Sequence, residues 1–294
     1  MRFANRQFLV VGFLLSVAAI GSAQSPTPQR IPNDRAHQSQ LEEGNRLSRV
    51  GRWSEAVEAY QQALELDPNV AEVHGNLGHA YSQLGRFEEA IASFRRALLL
   101  QPDGAVFNYN LGNAYLKTNR PAEAIEPLKK AIELKPDYFQ AYNDLGNDFA
   151  ELGLYDKAIT SLQSAVRLNP GFALGHYNLG VTYFELDRLE KAADCFRTAV
   201  SLNPNEREAH ANLGMVYLKL HQYKLAVDSL EQAIRLLPND SKAQYHLGIA
   251  YVALKNKEAF WRQYAIVKSL EPDLANRLYG AFYHERLLIA GKKE

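Results

Sequence analysis

A single cysteine, Cys195, stands among the 294 residues of this chain, so no disulfide can form within it. A lone thiol is compatible with an oxidising compartment but does not argue for one. In column 23 of a second helix, on the numbering developed below, it reads as an ordinary helix residue rather than a reactive thiol. Charge of one sign is missing as well. The 33 basic residues face 33 acidic ones, which removes the positive footprint of an electrostatic nucleic-acid binder. Long apolar runs are scarce: the uncharged stretch from Phe8 to Ile20 falls short of the roughly 20 residues needed to span a bilayer. Catalytic spacing is also lacking. The eight histidines form no His-Glu-x-x-His, and no cysteine pair has zinc spacing. No serine elbow or phosphate-cradling glycine loop is present.

The ends of the chain carry their own signals. Arg2 and Arg6 precede the apolar run, and Gly21-Ser22-Ala23 follows it, so residues 1–23 read as a cleavable secretory signal. Export to the periplasm or the extracellular space is expected, with no stable membrane insertion after cleavage. Retention of the run as an anchor is the alternative. Loss of Arg2 and Arg6 would leave 31 basic against 33 acidic residues, a charge of -2. No cysteine near the cleavage point offers a lipid attachment site. Residues 24–36, rich in Gln, Ser and Pro, read as a flexible linker.

What the chain does have is a period. Leu77-Gly78, Leu111-Gly112, Leu145-Gly146, Leu179-Gly180, Leu213-Gly214 and Leu247-Gly248 stand 34 residues apart, mostly preceded by Asn. Pro68, Pro102, Pro136, Pro170, Pro204, Pro238 and Pro272 keep the same interval. Together they set seven units at 37–70, 71–104, 105–138, 139–172, 173–206, 207–240 and 241–274. Let column n be the nth residue of a unit. Column eleven is Leu47, Tyr81, Tyr115, Phe149, Tyr183, Tyr217 and Tyr251, and columns 20 and 27 are Ala in the first six units. Column 24 supplies bulk with Tyr60, Phe94, Leu128, Leu162, Phe196, Leu230 and Tyr264. At about 100° per residue, columns 4, 7, 8 and 11 share one face of a first helix, and columns 20, 24 and 27 share one face of a second. Gly51, Gly85, Gly153, Asn119 and Asp187 fall between the two, where a left-handed residue ends a helix. Pro in column 32 stops the second helix. With no strand-like alternation, the prediction is all-α: a stack of helix-turn-helix units that bury their apolar faces against one another. HEAT and armadillo arrays need a period of about 40 to 47 residues and are excluded.

These columns, taken jointly, resemble the tetratricopeptide repeat (TPR) family over residues 37–274. The resemblance implies a right-handed superhelical α-solenoid, with a concave groove that binds protein or peptide and with no cofactor. The departures are terminal: Glu43 and Leu47 in the first unit, Phe260 and Val267 at the small positions of the seventh. Beyond them, Leu274, Leu278, Ala281, Phe282, Leu288 and Ile289 recur at helical spacing. With Asp273 as N-cap and Gly291 past the end, residues 275–294 read as a capping helix and tail over the flank of the last repeat. A membrane-surface helix is the sharper alternative, but the charge is sparse for one.

Columns 2, 5, 6, 9 and 13 point away from the packed stripe, and the resemblance places them in the groove. Column six reads Glu42, Asn76, Asn110, Asp144, Asn178, Asn212 and His246. An amide offers two donors and an acceptor, matching a peptide main chain. The ladder resembles that of the O-linked N-acetylglucosamine transferases, without their sugar-transfer domain. Column nine passes from Asn45, His79, Asn113 and Asn147 to Val181, Met215 and Ile249, and column twelve from Ser48 and Ser82 to Phe184, Leu218 and Val252. Column five has Tyr109, Asn143, Tyr177 and Tyr245. The candidate groove residues are therefore Asn76, His79, Tyr109, Asn110, Asn113, Asn143, Asp144, Asn147, Tyr177, Asn178, Val181, Asn212, Met215 and Tyr245. They predict a groove polar at its start and apolar at its end. Two blander readings stand beside this one. Asn in column six is common in the family, and the apolar half could be covered by the tail from Ala275 onward or by a second copy, which would make a homo-oligomer.

Other modes fit less well. The family's carboxylate clamp resembles a site with Lys in column five of an early repeat, where this chain has Leu41, Gly75 and Tyr109. His176 and His210 share column four of adjacent repeats; they read as packing residues, with metal ligation as the alternative and no metal site assigned. The sequence thus points to an exported, non-catalytic scaffold or adaptor. An accessory subunit that positions a cell-envelope or secretion enzyme complex is the runner-up, and an enzyme in its own right fits least.

Overall fold

A computed structural model describes residues 31–290. The expected signal (1–23), residues 24–30 of the expected linker, and Gly291 with the last residues lie outside the described residues. Fourteen helices form seven successive pairs: α1 (Ile31–Arg49) with α2 (Trp53–Leu66), α3 (Ala71–Gln83) with α4 (Phe87–Leu100), α5 (Ala105–Lys117) with α6 (Pro121–Leu134), α7 (Phe139–Glu151) with α8 (Tyr155–Leu168), α9 (Ala173–Glu185) with α10 (Leu189–Leu202), α11 (Arg207–Lys219) with α12 (Tyr223–Leu236), and α13 (Ser241–Ala253) with α14 (Lys257–Leu270). A fifteenth, α15 (Pro272–Ala290), follows. Each helix packs on its partner and on the next pair, producing a right-handed α-solenoid. No strand occurs among the described residues.

The turn inside each pair is closed by one recurring device. The Arg86 N–H donates to the Tyr81 carbonyl at 2.9 Å, and equivalent bonds join Arg120 to Tyr115, Leu154 to Phe149 and Asn256 to Tyr251. This six-to-one closure needs a left-handed residue just before the donor. Gly85 (φ 74°), Asn119 (58°) and Asp187 (54°) supply it as expected. His221 (59°) and Lys255 (57°) adopt the same conformation without any sequence cue, because the hydrogen bond dictates the backbone whichever residue is there.

Within each pair the helices approach closely. Ala56, Ala90, Ala124, Ala158, Ala192 and Ala226 are wholly buried. A Cβ added to Gly146 would lie 2.6 Å from the Leu162 Cγ and 3.2 Å from the Ala158 carbonyl, so this glycine is required by proximity. Between pairs, polar ties recur 20 residues apart. Gln61 Nε2 donates to the Tyr81 hydroxyl and Gln163 Nε2 to the Tyr183 hydroxyl, both at 3.0 Å, and the Tyr251 hydroxyl donates to Glu231 at 3.1 Å. Column four latches the loop before it. The Nε2 atoms of His74, His176 and His210 meet the carbonyls of Pro68, Pro170 and Pro204 at 2.9–3.0 Å. Gln244 does the same to Pro238 at 2.8 Å. His176 and His210 are therefore each engaged by their own loop, and no group of three metal-ligating side chains occurs among the described residues.

Both ends differ from the sequence reading. The first helix begins at Ile31, inside the stretch expected to be a linker (24–36). Proline is tolerated in a helix's first turn, so Pro32 does not bar it, and His37 Nδ1 bonds the Ala63 carbonyl at 2.9 Å. At the other end, α15 begins at Pro272, which makes Asp273 a first-turn residue rather than the expected N-cap. Nor does α15 merely cover a flank. In the preceding repeats the column-eight glycine is met by column 24 of the same repeat, whereas Gly248 is met by Leu278, whose Cδ2 would lie 2.5 Å from an added Cβ. The bulky Phe260 and Val267 fit because α15 completes a three-helix end. Phe260 stacks on Phe282 with centroids 4.3 Å apart and planes within 10°.

One buried group is anomalous. Asp148, in α7 at column ten of its repeat, is fully buried where other repeats have Ala80, Ala114 or Ala250, and neither of its oxygens has a hydrogen-bond partner among the described residues. Desolvation, reinforced by the charges of Glu151 and Asp144, raises its pKa to about 8. The folded chain thus holds a proton that the unfolded chain releases near pH 4, and stability falls as pH rises from about 4 to 8. Asp148→Ala is expected to raise the urea midpoint, by an increment that grows between pH 5 and pH 9; an increment independent of pH would contradict the burial argument. Ala158→Leu is expected to lower stability by about 1–3 kcal/mol through overpacking, and an unchanged urea midpoint would exclude the close helix approach.

Candidate functional site

The first helices of successive repeats are neighbours, and residues of columns 5, 6 and 9 meet between them. Their spacing is close enough for side chains to bridge them. Asn76 Nδ2 donates to Asn45 Oδ1 at 2.9 Å, Asn178 Nδ2 to Asn143 Oδ1 at 2.9 Å, and Asn212 Nδ2 to the Tyr177 hydroxyl at 3.2 Å. The amide ladder is therefore partly structural: each of these residues commits one N–H to the preceding repeat and keeps a carbonyl and a second N–H. The partner is column five of that repeat, or column nine where column five is the apolar Leu41.

Asn110 is the exception, for a local reason. Its preceding column five is Gly75, which has no side chain to receive it, and His79 in column nine makes no bond to it in its place. A Cβ at Gly75 would lie 2.2 Å from Phe107 Cε1, so the aromatic ring excludes any larger residue there. Asn110 has no hydrogen-bond partner among the described residues. It lines a cavity of about 420 Å³ with His79, Asn113, Lys117 and Asp144, over Phe94. Burial lowers the His79 pKa, favouring a neutral ring, which stands edge-on to Trp53 at 5.6 Å. Burial raises the Asp144 pKa, and the Asn143, Tyr109 and Asn113 side chains partly offset it by hydrogen bonding. Tyr109 itself lies against Tyr138 at 4.6 Å, and burial raises its pKa too.

Three expected groove residues are not free to serve. Asn143 is only 2 % exposed; its carbonyl accepts from Asn178 and its N–H donates to Asp144 at 3.0 Å, so it is a structural linchpin. Tyr245 is drawn into the terminal cluster with Ile249 and Leu274, and the Arg277 guanidinium lies 5.7 Å from its ring. The C-terminal helix thus takes the seventh repeat's share of the apolar half. Val181 packs into the central core from its half-buried position. Asn147 is half-buried near the polar end.

Met215 remains accessible. It lines a second cavity of about 160 Å³ with Tyr177, Asn212, Leu230 and His246. The rim carries Arg207, whose guanidinium pairs with Asp240 and Glu208, while Asp240 also accepts from the N–H groups of Lys242 and Ala243 at the start of α13. Lys117 and Arg207 were not singled out from the sequence. Lys117 lies in column 13, already assigned to this face, whereas nothing in a pattern of columns reveals that Arg207 and Asp240, 33 residues apart, would pair.

Burial pushes the Cys195 thiol up to about 11, leaving it protonated near neutral pH. No described helix is long and apolar enough to cross a membrane.

Comparison with known proteins agrees with this architecture. Sequence models described as tetratricopeptide repeat match residues 76–139, 173–206 and 208–240, and one described as TPR repeat matches 44–85 and 146–187. No curated protein sequence matches the chain. Among solved structures, MamA is 27% identical with a TM-score of 0.55, covering 60% of this chain and 96% of its own. YrrB, described as a TPR protein with an unusual peptide-binding site, is 26% identical with a TM-score of 0.53, covering 65% of this chain and 98% of its own. PilF of Pseudomonas aeruginosa, at 21% identity and a TM-score of 0.62 over 72% of this chain and 96% of its own, shares the fold. With the repeat models spread from residue 44 to residue 240 and the paired helices continuing in the same register to either side, the chain belongs to the tetratricopeptide repeat family.

Proposed function

We propose that this chain is an exported, non-catalytic scaffold that grips an extended segment of a partner protein along its concave face. The family and its solved neighbours make it a protein-interaction scaffold; the peptide mode, the export and the absence of chemistry are the proposal's own content. The observation that carries the peptide mode is Asn110, an amide with both its donors and its acceptor unengaged above a cavity of about 420 Å³. A peptide unit offers one donor and one acceptor in the complementary arrangement. Lys117 beside it favours a carbonyl-rich or acidic neighbour in the ligand. YrrB, whose described property is a peptide-binding site, supports the same reading by analogy. Export rests on the apolar leader from Phe8 to Ile20 behind Arg2 and Arg6. The non-catalytic reading rests on a sequence without a nucleophile-and-base arrangement and on a family whose members generally bind rather than react.

Crosslinking pull-down from the exported fraction tests it. Asn110→Ala is expected to reduce partner recovery several-fold, while Glu126→Ala with Lys129→Ala, on the outer face of α6, leaves it intact. The reverse result would sink the groove reading. One stoichiometric partner rather than many would select the accessory-subunit version of the scaffold.

A further inference from the structure

The cavity between α9, α11 and α13 is a different kind of site from the polar one around Asn110. Its volume of about 160 Å³ is the size that takes one six-membered aromatic ring. Its lining includes an apolar set, Leu230, Met215, Ala211 and the ring of Tyr177, beside polar and charged groups. A thioether beside an aromatic wall favours a ring as the occupant.

Its polar lining offers both senses: Lys242, the Tyr177 O–H and a second N–H of Asn212 can donate, while the Asn212 carbonyl and His246 can accept. His246 directs Nδ1 at the Lys242 carbonyl at 3.1 Å, a contact that requires the proton on Nδ1. The far nitrogen, Nε2, is then an acceptor with a free lone pair. Asn212 commits an N–H to the Tyr177 hydroxyl and retains its carbonyl and a second N–H. The strongest donor at the rim, Arg207, is already paired with Asp240 and Glu208. An occupant with a donor would satisfy an acceptor that an apolar occupant would bury unpaired.

We propose that this cavity binds one aromatic side chain carrying an O–H donor, a tyrosine of the bound segment, with the donor directed at His246 Nε2. The proposal deepens the groove reading and rests on it for its biological setting, but the cavity can be tested by itself. A segment lying in the groove would then place its aromatic anchor at repeats five to seven and its main chain at Asn110, which fixes the register of the ligand along the solenoid.

The probes are p-cresol and toluene, which differ only by the hydroxyl, titrated into the full chain by NMR with the His246 imidazole resonances followed. p-Cresol is expected to bind about three- to tenfold more tightly than toluene, the range of one neutral hydrogen bond. His246→Phe keeps an aromatic ring and removes the acceptor, so it should bring p-cresol down to the level of toluene. Met215→Trp should fill the cavity and abolish binding of both; should that variant fold poorly, Ala211→Leu serves the same purpose from the opposite end of the wall. Equal affinity of the two probes, or no binding of either, overturns the proposal. If p-cresol fails while Asn110→Ala still loses its partners, the cavity assignment is wrong and the groove reading stands. If p-cresol binds as expected while Asn110→Ala keeps every partner, the cavity stands without the peptide mode.

Discussion

The contact on which this solenoid depends is the approach of a glycine in each first helix to a bulky side chain in the second. At Gly78 the neighbour is Phe94, at Gly112 it is Leu128, at Gly180 it is Phe196 and at Gly214 it is Leu230, each too near to leave room for a Cβ. That distance fixes the separation of the two helices, and the wholly buried alanines on the second helix maintain it along the pair. Where the contact changes hands the array stops. Gly248 is filled by Leu278 from α15 instead, so α14 carries Phe260 and Val267 at positions that are small elsewhere, and the superhelix closes on a three-helix end.

The face of the first helices inherits its chemistry from the same spacing. First helices held side by side bring column six of one repeat to columns five and nine of the one before, and amides there bond one another before they bond anything else. The ligand-facing potential of the ladder therefore lies in what the struts leave over, and it is greatest where a strut is missing. Gly75, required by the packing of Phe107, creates that gap at Asn110. In the proposed peptide mode, packing and recognition would be linked by a single residue that has no side chain.

Much of this was legible in the sequence because a 34-residue period repeats the same physical demand in every unit. The Leu-Gly, Ala and Pro columns announced the helix pairs, and the left-handed turns at Gly51, Gly85, Gly153, Asn119 and Asp187 followed from residue chemistry. His221 and Lys255 gave no such hint, since a hydrogen-bonded closure can impose a conformation that the residue does not itself prefer. The linker reading failed at Ile31 because composition says nothing of a helix held in place by contact with α2. The candidate groove was legible as a face but not as a site: Asn110 and Asn178 look alike in the sequence, and one is free while the other is bonded.

What the sequence alone determined is the periodic part: the fold class, the phase of every repeat, and which columns are inside or outside, because these depend on interactions between residues close along the chain and repeated in each unit. The tertiary structure decided the aperiodic part. It set which amides are engaged, which repeat's share of the face α15 covers, how Asp148 comes to be buried without a hydrogen-bond partner among the described residues, and where the cavities at Asn110 and Met215 open. Each of these depends on side chains from different repeats meeting at distances of a few ångströms, which no single column records.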